Sequence, residues 1–167
     1  MKIPIVSIVG KSDSGKTTLI CGILPELKRR GYRVATIKHD VHGFDIDKPG
    51  KDTWKHAQAG ADIVIISSPQ KVAMIEKVNE ELTMDQVIAK IDNVDLILTE
   101  GYKRNNKPKI EIFRSTVHDK PLCTADDNLL AFASDINPGL GVPVYSINDY
   151  SGLAEFIEKT FLVNKTK

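Results

Sequence analysis

At 167 residues the chain is long enough to bury one core and too short for two ordinary domains. Hydrophobic residues make up 41% and charged residues 27%, ordinary values that exclude disordered and fibrous classes. Lys plus Arg number 23 against 22 Asp plus Glu, so no overall positive field draws the protein onto nucleic acid, and any anion site must be local.

The first apolar stretch, within 3–9, runs straight into a glycine loop and not into a small-residue cleavage site, which argues against a signal peptide. With Ile5, Val6, Ile8 and Val9 apolar on both faces it predicts a central parallel strand. From 16 to 30 apolar residues fall at Leu19, Ile20, Ile23, Leu24 and Leu27 in one helical stripe, with Arg29 and Arg30 in the last turn and Gly31 as a stop. Pro25 predicts a local kink there and not two helices. The next strand is expected over 32–37, completing a βαβ unit with a right-handed crossover. The stretch 41–50 (VHGFDIDKPG) has no period and reads as a functional loop.

A short helix follows over 52–60, then two strands, 62–67 and 71–76, either side of Ser68-Pro69-Gln70. A helix over 83–91 and a buried strand ending at Thr99 come next. Further strands are expected over 109–114, 129–134 and 144–147, and a closing helix over 150–161. No apolar run approaches the roughly 18 residues of a transmembrane helix. The expectation is a cytoplasmic protein with neither membrane nor nucleic acid as partner. It is a single domain over 1–162, with 163–167 a frayed tail. The fold class is α/β, a three-layer P-loop NTPase fold with a mostly parallel central sheet, helices on both faces and an extra strand pair. Cys21 and Cys123 give neither a disulfide framework nor metal-ligand spacing.

Chemistry concentrates at 10–17. Gly10-Lys11-Ser12-Asp13-Ser14-Gly15-Lys16-Thr17 satisfies G-x-x-x-x-G-K-[ST] between a predicted strand and a predicted helix. The glycines permit a tight turn of inward N–H groups, and the helix start adds its positive end, so main chain binds phosphate. Lys16 is expected to reach the β- and γ-phosphates, and Thr17 to place its hydroxyl on Mg²⁺. Glu100, following an apolar strand, is the candidate second acidic group of the Mg²⁺ site. Asp95 is the competitor, but it opens that strand and belongs at the far edge.

Lys38, His39 and Asp40, with His42, Asp45 and Asp47 just beyond, are expected at the same carboxyl edge, where a carboxylate such as Asp45 suits Mg²⁺. Each also reads as an ordinary exposed turn residue, and His39 with His42 lacks a third metal ligand. Lys103, Arg104, Lys107 and Lys109 form a basic cluster, read as a solvated loop or an anion-binding rim. Trp54 and Met74 read as packing groups. The Asn/Thr-Lys-x-Asp turn that reads guanine in many GTPases is absent. Asp135, after the strand 129–134, is the nearest candidate acceptor for guanine N1 and N2 hydrogens. No Gln or Arg is evidently placed to orient water or neutralise transition-state charge.

Taken together, GKSDSGKTTL at 10–19, IKHDVHGFDIDKPGKDTWKHAQAGA at 37–61, DLILTEGYK at 95–103, PKIEIFR at 108–114 and ASD followed by VYSINDYSGLAEFI resemble the molybdopterin-guanine dinucleotide biosynthesis protein B (MobB) family. The resemblance spans nearly the whole chain. It implies a small homodimeric GTP-binding adapter with weak GTPase activity, assisting a MobA-family guanylyltransferase in attaching GMP to molybdopterin. Molybdopterin itself is then a further ligand. It also implies that 10–18, including Thr18, binds the GTP phosphates, that Thr17 and Glu100 serve Mg²⁺, and that 45–52 lies near the γ-phosphate or the partner. Two other P-loop classes remain open from the residues alone. A small-molecule kinase requires an Arg-rich lid that is not apparent, and a metal-insertion GTPase requires a His/Cys cluster that is not found. The strands 71–76 and 109–114 read as additions to the core sheet that extend it across a two-fold axis.

Overall fold

In chain order the elements are β1 (Ile5–Val9), α1 (Lys16–Arg29), β2 (Val34–Lys38), α2 (Asp52–Gln58), β3 (Ile63–Ser68), β4 (Lys71–Glu76), α3 (Met84–Ile88), β5 (Leu96–Glu100), β6 (Lys109–Phe113), β7 (Leu129–Ser134), β8 (Val144–Tyr145) and α4 (Tyr150–Phe161). The computed structural model describes residues 2–103, 105–124 and 127–163. They divide between a unit spanning Met1–Asp40 and Ile91–Lys167 and a second spanning Val41–Lys90. Of the expected tail, only Val163 is among the described residues, and it is exposed.

The first unit is a six-stranded sheet in the order β2-β5-β1-β6-β7-β8, and all its strand pairs are parallel. Every residue of β1 is buried, which is why its sequence shows no polar alternation. The sheet is parallel as expected, but β2 does not lie beside β1. Strand β5 sits between them and pairs with both. This arrangement brings the end of β5, Glu100, next to the strand that feeds the glycine loop.

One face carries Val6, Ile8, Leu96, Leu98, Ile110 and Ile112, packed under α1 and α4. Two devices hold these helices. Gly22 lets the Tyr150 ring approach so closely that a Cβ there would stand 2.5 Å from it. The Glu158 carboxylate accepts from Arg30 at 2.8 Å and from the Tyr32 hydroxyl at 2.8 Å. Helix α1 runs through Pro25 as one helix and stops in a Schellman turn, with Gly31 at φ 89 and the N–H of Tyr32 donating to Leu27 O. Because Tyr32 completes that cap, β2 begins at Val34 and not at 32.

The other face is covered by a second apolar group, Val9, Phe113, Cys123, Leu129 and Phe132. Strand β6 corrects the sequence reading of 109–114 as an addition to the sheet. It lies inside the sheet between β1 and β7 and is buried throughout. Its two charges are engaged. Lys109 Nζ donates to Asn105 O at 2.6 Å and to Asp127 O at 2.8 Å. Glu111 accepts from the N–H groups of Leu122 and Cys123 at 2.6 and 2.8 Å.

In the second unit β3 and β4 form an antiparallel two-stranded sheet of their own, joined at Ser68↔Lys71. Helix α3 is shorter than expected and is opened by a capping box between Thr83 and Gln86.

Candidate phosphate site

Between β1 and α1 the chain turns through residues with positive φ: Gly10 at 154°, Asp13 at 60° and Gly15 at 97°. Gly10 is needed for space as well, because a Cβ there would lie 2.6 Å from Ile112 O and 2.6 Å from Ser14 Oγ. Gly15, at the N-cap of α1, offers no side chain to cap it and the first turn holds no acid, so the helix supplies no acceptor of its own for its leading N–H groups. This is the setting in which main-chain N–H groups bind an anion.

Lys16 opens α1, and its Nζ donates to Lys11 O at 2.9 Å. Burial, followed by the nearby Lys103 charge, lowers its pKa below the ordinary 10.5, partly offset by Glu100 and Asp13. Thr17 Oγ1 lies 3.0 and 3.1 Å from the two carboxylate oxygens of Glu100, to which it donates. Glu100 is the last residue of β5, opposite Ile8 of β1 and Lys38 of β2. Asp95 is at the other end of β5, accepting the Arg33 N–H at 2.8 Å. Ser12, Asp13 and Thr18 are exposed, while Ser14 is buried and its hydroxyl has no hydrogen-bond partner.

Asp135 follows β7 at this same carboxyl edge. Its two oxygens accept from Ser115 N at 2.9 Å and Ser115 Oγ at 3.0 Å, and the Ser115 N–H bond is the main cause of its lowered pKa. The segment leading from β6 into the Ser115 turn supplies two residues that the sequence did not reveal. Arg114 Nε donates to Ser14 O at 2.9 Å, and His118 Nε2 lies 2.7 Å from Ser12 O. An Arg therefore does lie against the glycine loop. Its signal was available in the terminal Arg of PKIEIFR, at the carboxyl edge of a strand; His118 carried none.

Other expected groups are placed as follows. Lys38 ends β2 and is exposed. His39 stacks on Tyr102 with ring centroids 4.5 Å apart, and its backbone N–H donates to Glu100 O at 3.0 Å. Asp45 is exposed in the second unit, and there Asp47 Oδ1 accepts from Lys48 N and Thr53 Oγ1. The basic cluster is not a uniform rim, because Lys109 is 2% exposed and bound to carbonyls. Arg104 lies outside the described residues. Among the described residues no group of three His, Cys, Asp or Glu side chains converges as a metal site, and no helix is long and apolar enough to cross a membrane.

Residues 5–135 match the profile of the family described as molybdopterin guanine dinucleotide synthesis protein B. The molybdopterin-guanine dinucleotide biosynthesis adapter protein of Escherichia coli (strain K12) is 38% identical over 160 residues, covering 93% of this chain and 91% of that protein. Its namesake from Haemophilus influenzae is 36% identical over 159 residues, with 94% and 89% covered. A crystal structure of molybdopterin-guanine biosynthesis protein B superposes with a TM-score of 0.74 at 32% identity, covering 94% of this chain and 98% of that one. The Bacillus subtilis MobB structure, with a TM-score of 0.77 at 24% identity and 96% and 99% covered, shares the fold. The chain belongs to the molybdopterin guanine dinucleotide synthesis protein B (MobB) family.

Proposed function

We propose that this protein is a GTP-binding adapter in the biosynthesis of molybdopterin guanine dinucleotide, with slow intrinsic GTPase activity. The observation that carries the phosphate half is the uncapped start of α1 behind a glycine turn, with Lys16 in place and Thr17 beside Glu100. In this reading the backbone of 10–18 cradles the triphosphate and Lys16 leaves Lys11 O for the β- and γ-phosphates. The Thr17 hydroxyl and Glu100 carboxylate are oxygen donors within hydrogen-bond distance, a set that suits Mg²⁺. Mg²⁺ held there would supply charge neutralisation to the bound phosphates. Asp135 is an acceptor for guanine. Slow hydrolysis follows from the absence of any glutamine in the sheet unit to orient water.

The partner half rests on the family and on the relatives' adapter names. The partner is a MobA-family guanylyltransferase, with molybdopterin as the group being guanylated. A homodimer suits the second unit, whose hairpin exposes Ile63, Ile65, Val72 and Met74. Sedimentation as a monomer at micromolar concentration would remove that part.

Calorimetric titration with Mg²⁺ is expected to show GTP bound ~10-fold or more tighter than ATP, the least discrimination a hydrogen-bonded base site should give. Equal affinity would end the guanine assignment. Purified guanylyltransferase is expected to co-elute with the protein in the presence of GTP, and no association with or without nucleotide would overturn the adapter role. Glu100→Gln is expected to reduce the Mg²⁺-dependent gain in GTP affinity by ~10-fold or more, while binding in chelator stays near wild type. An unchanged Mg²⁺ titration would remove Glu100 from the metal site.

A further inference from the structure

The glycine loop is gripped by a segment that follows β6. Ser12 O receives His118 Nε2 at 2.7 Å and Ser14 O receives Arg114 Nε at 2.9 Å. Because the acceptor is a carbonyl, the imidazole proton must sit on Nε2. A third bond runs the other way, from Lys11 Nζ to Lys120 O at 2.7 Å. The gripping segment is itself fixed. The N–H groups of Val117 and His118 both donate to Arg114 O, and Ser115 is tied to Asp135 through its N–H and its hydroxyl.

A peptide unit is planar and trans, so holding a carbonyl fixes the N–H of the next residue in the opposite direction. Holding Ser12 O therefore aims the Asp13 N–H, and holding Ser14 O aims the Gly15 N–H. These two peptides precede the left-handed residues Asp13, φ 60, and Gly15, φ 97. Asp13 is not a glycine, and its conformation costs roughly 1 kcal/mol. Without an external hold such peptides can turn over. The Arg114 guanidinium also lies along the loop, since a Cβ on Gly15 would meet its Nη2 at 3.3 Å.

We infer that Arg114 and His118 are positioning residues of the phosphate site, which hold the Asp13 and Gly15 N–H groups in the anion-binding orientation before any ligand arrives. The inference rests on the phosphate-binding reading of 10–17 and is independent of the guanine assignment. Neither side chain need touch the phosphate. Their effect is to remove the ordering cost that a mobile loop would charge against binding.

The test uses the full chain with Mg²⁺ and inorganic tripolyphosphate, which has no base, beside GTP. His118→Ala and Arg114→Gln are each expected to weaken tripolyphosphate about 10-fold, or about 1.4 kcal/mol. In the ligand-free variants ¹⁵N relaxation should show added motion at the Asp13 and Gly15 amides. His118→Gln, whose amide can donate to the same carbonyl, is expected to restore affinity. Arg114→Lys, which keeps the charge but loses the planar donor, is expected not to. Affinity within twofold of wild type for both His118→Ala and Arg114→Gln would overturn the inference. So would equal weakening in His118→Ala and His118→Gln, or full rescue by Arg114→Lys. Should Arg114→Gln fail to fold, the His118 pair decides. A wild-type protein that ignores tripolyphosphate defeats the phosphate reading and this inference together, whereas one that binds it without preferring GTP defeats only the guanine reading.

Discussion

Lys16→Ala is expected to weaken triphosphate binding by ~100-fold or more while the sheet unit stays folded. Truncating one partner of a hydrogen-bonded charge pair in a partly desolvated site costs about 2–5 kcal/mol. Among the described residues Lys16 Nζ donates to a backbone carbonyl, Lys11 O, and its ammonium is held in a setting that on balance disfavours charge. With the folded-state pKa below 10.5, the unfolded chain binds more protons between the lowered value and 10.5, so stability rises with pH through that window. At neutral pH the charged Lys16 therefore detracts from the stability of the free protein, and Lys16→Met should leave it at least as stable. Bound phosphate reverses the balance by favouring the ammonium, so triphosphate affinity should fall as pH rises toward the lowered pKa. Calorimetry and thermal melts across pH check both. Undiminished affinity in Lys16→Ala would refute the phosphate-loop assignment.

Gly10→Ala should be the most damaging of the loop substitutions to the fold. The added methyl would stand 2.6 Å from Ile112 O, a backbone atom of a fully buried strand that has no rotamer to change. Overpacking of this kind costs typically 1–3 kcal/mol, and forcing a non-glycine residue to φ 154 adds about as much. A loss of about 3 kcal/mol is expected, which lowers the melting temperature by roughly 6–12 °C for a chain of this size. Phosphate binding should fall as well, because relief requires β1 and β6 to separate beneath the loop. A melting temperature within 2 °C of wild type, itself less than ~1 kcal/mol, would show that the close approach of Gly10 to β6 is not kept in solution.

The parts legible in the sequence are those whose physics is local. The spacing of Gly10 and Gly15 encodes a backbone turn, the Leu19, Ile20, Ile23 and Leu27 stripe encodes a buried helix face, and Gly31 encodes a stop. Each rule acts over a few residues, and each element formed. Strand order is a tertiary matter, so the insertion of β5 between β1 and β2 carried no local signal. The burial of Lys109 and Glu111 is not legible either, because composition cannot show that both charges meet main chain. The same blindness hides His118 and the contact that Arg114 makes. Their partners are carbonyl oxygens, which every residue possesses, so nothing at positions 12 or 14 announces the contact. Glu100 was legible because an apolar strand ending in an acid points to one edge of a parallel sheet. Asp135 follows β7, as its place after the strand 129–134 implies, but its engagement by Ser115 is not visible in the sequence.

The two faces of the sheet are sealed by different means. Helices satisfy their own peptide groups and need only grease beneath them, which Ile110 and Ile112 supply to α1 and α4. The irregular backbone on the opposite face has groups left over, and Lys109 and Glu111 meet four of them directly. Strand β6 is thus laminated on one side and laced on the other. A hydrophobic replacement at Lys109 or Glu111 would cut a lace and orphan two peptide groups at once. The lacing also tethers the covering loops to the strand that ends beside Arg114, so slack introduced far from the glycine turn has a short mechanical route to it.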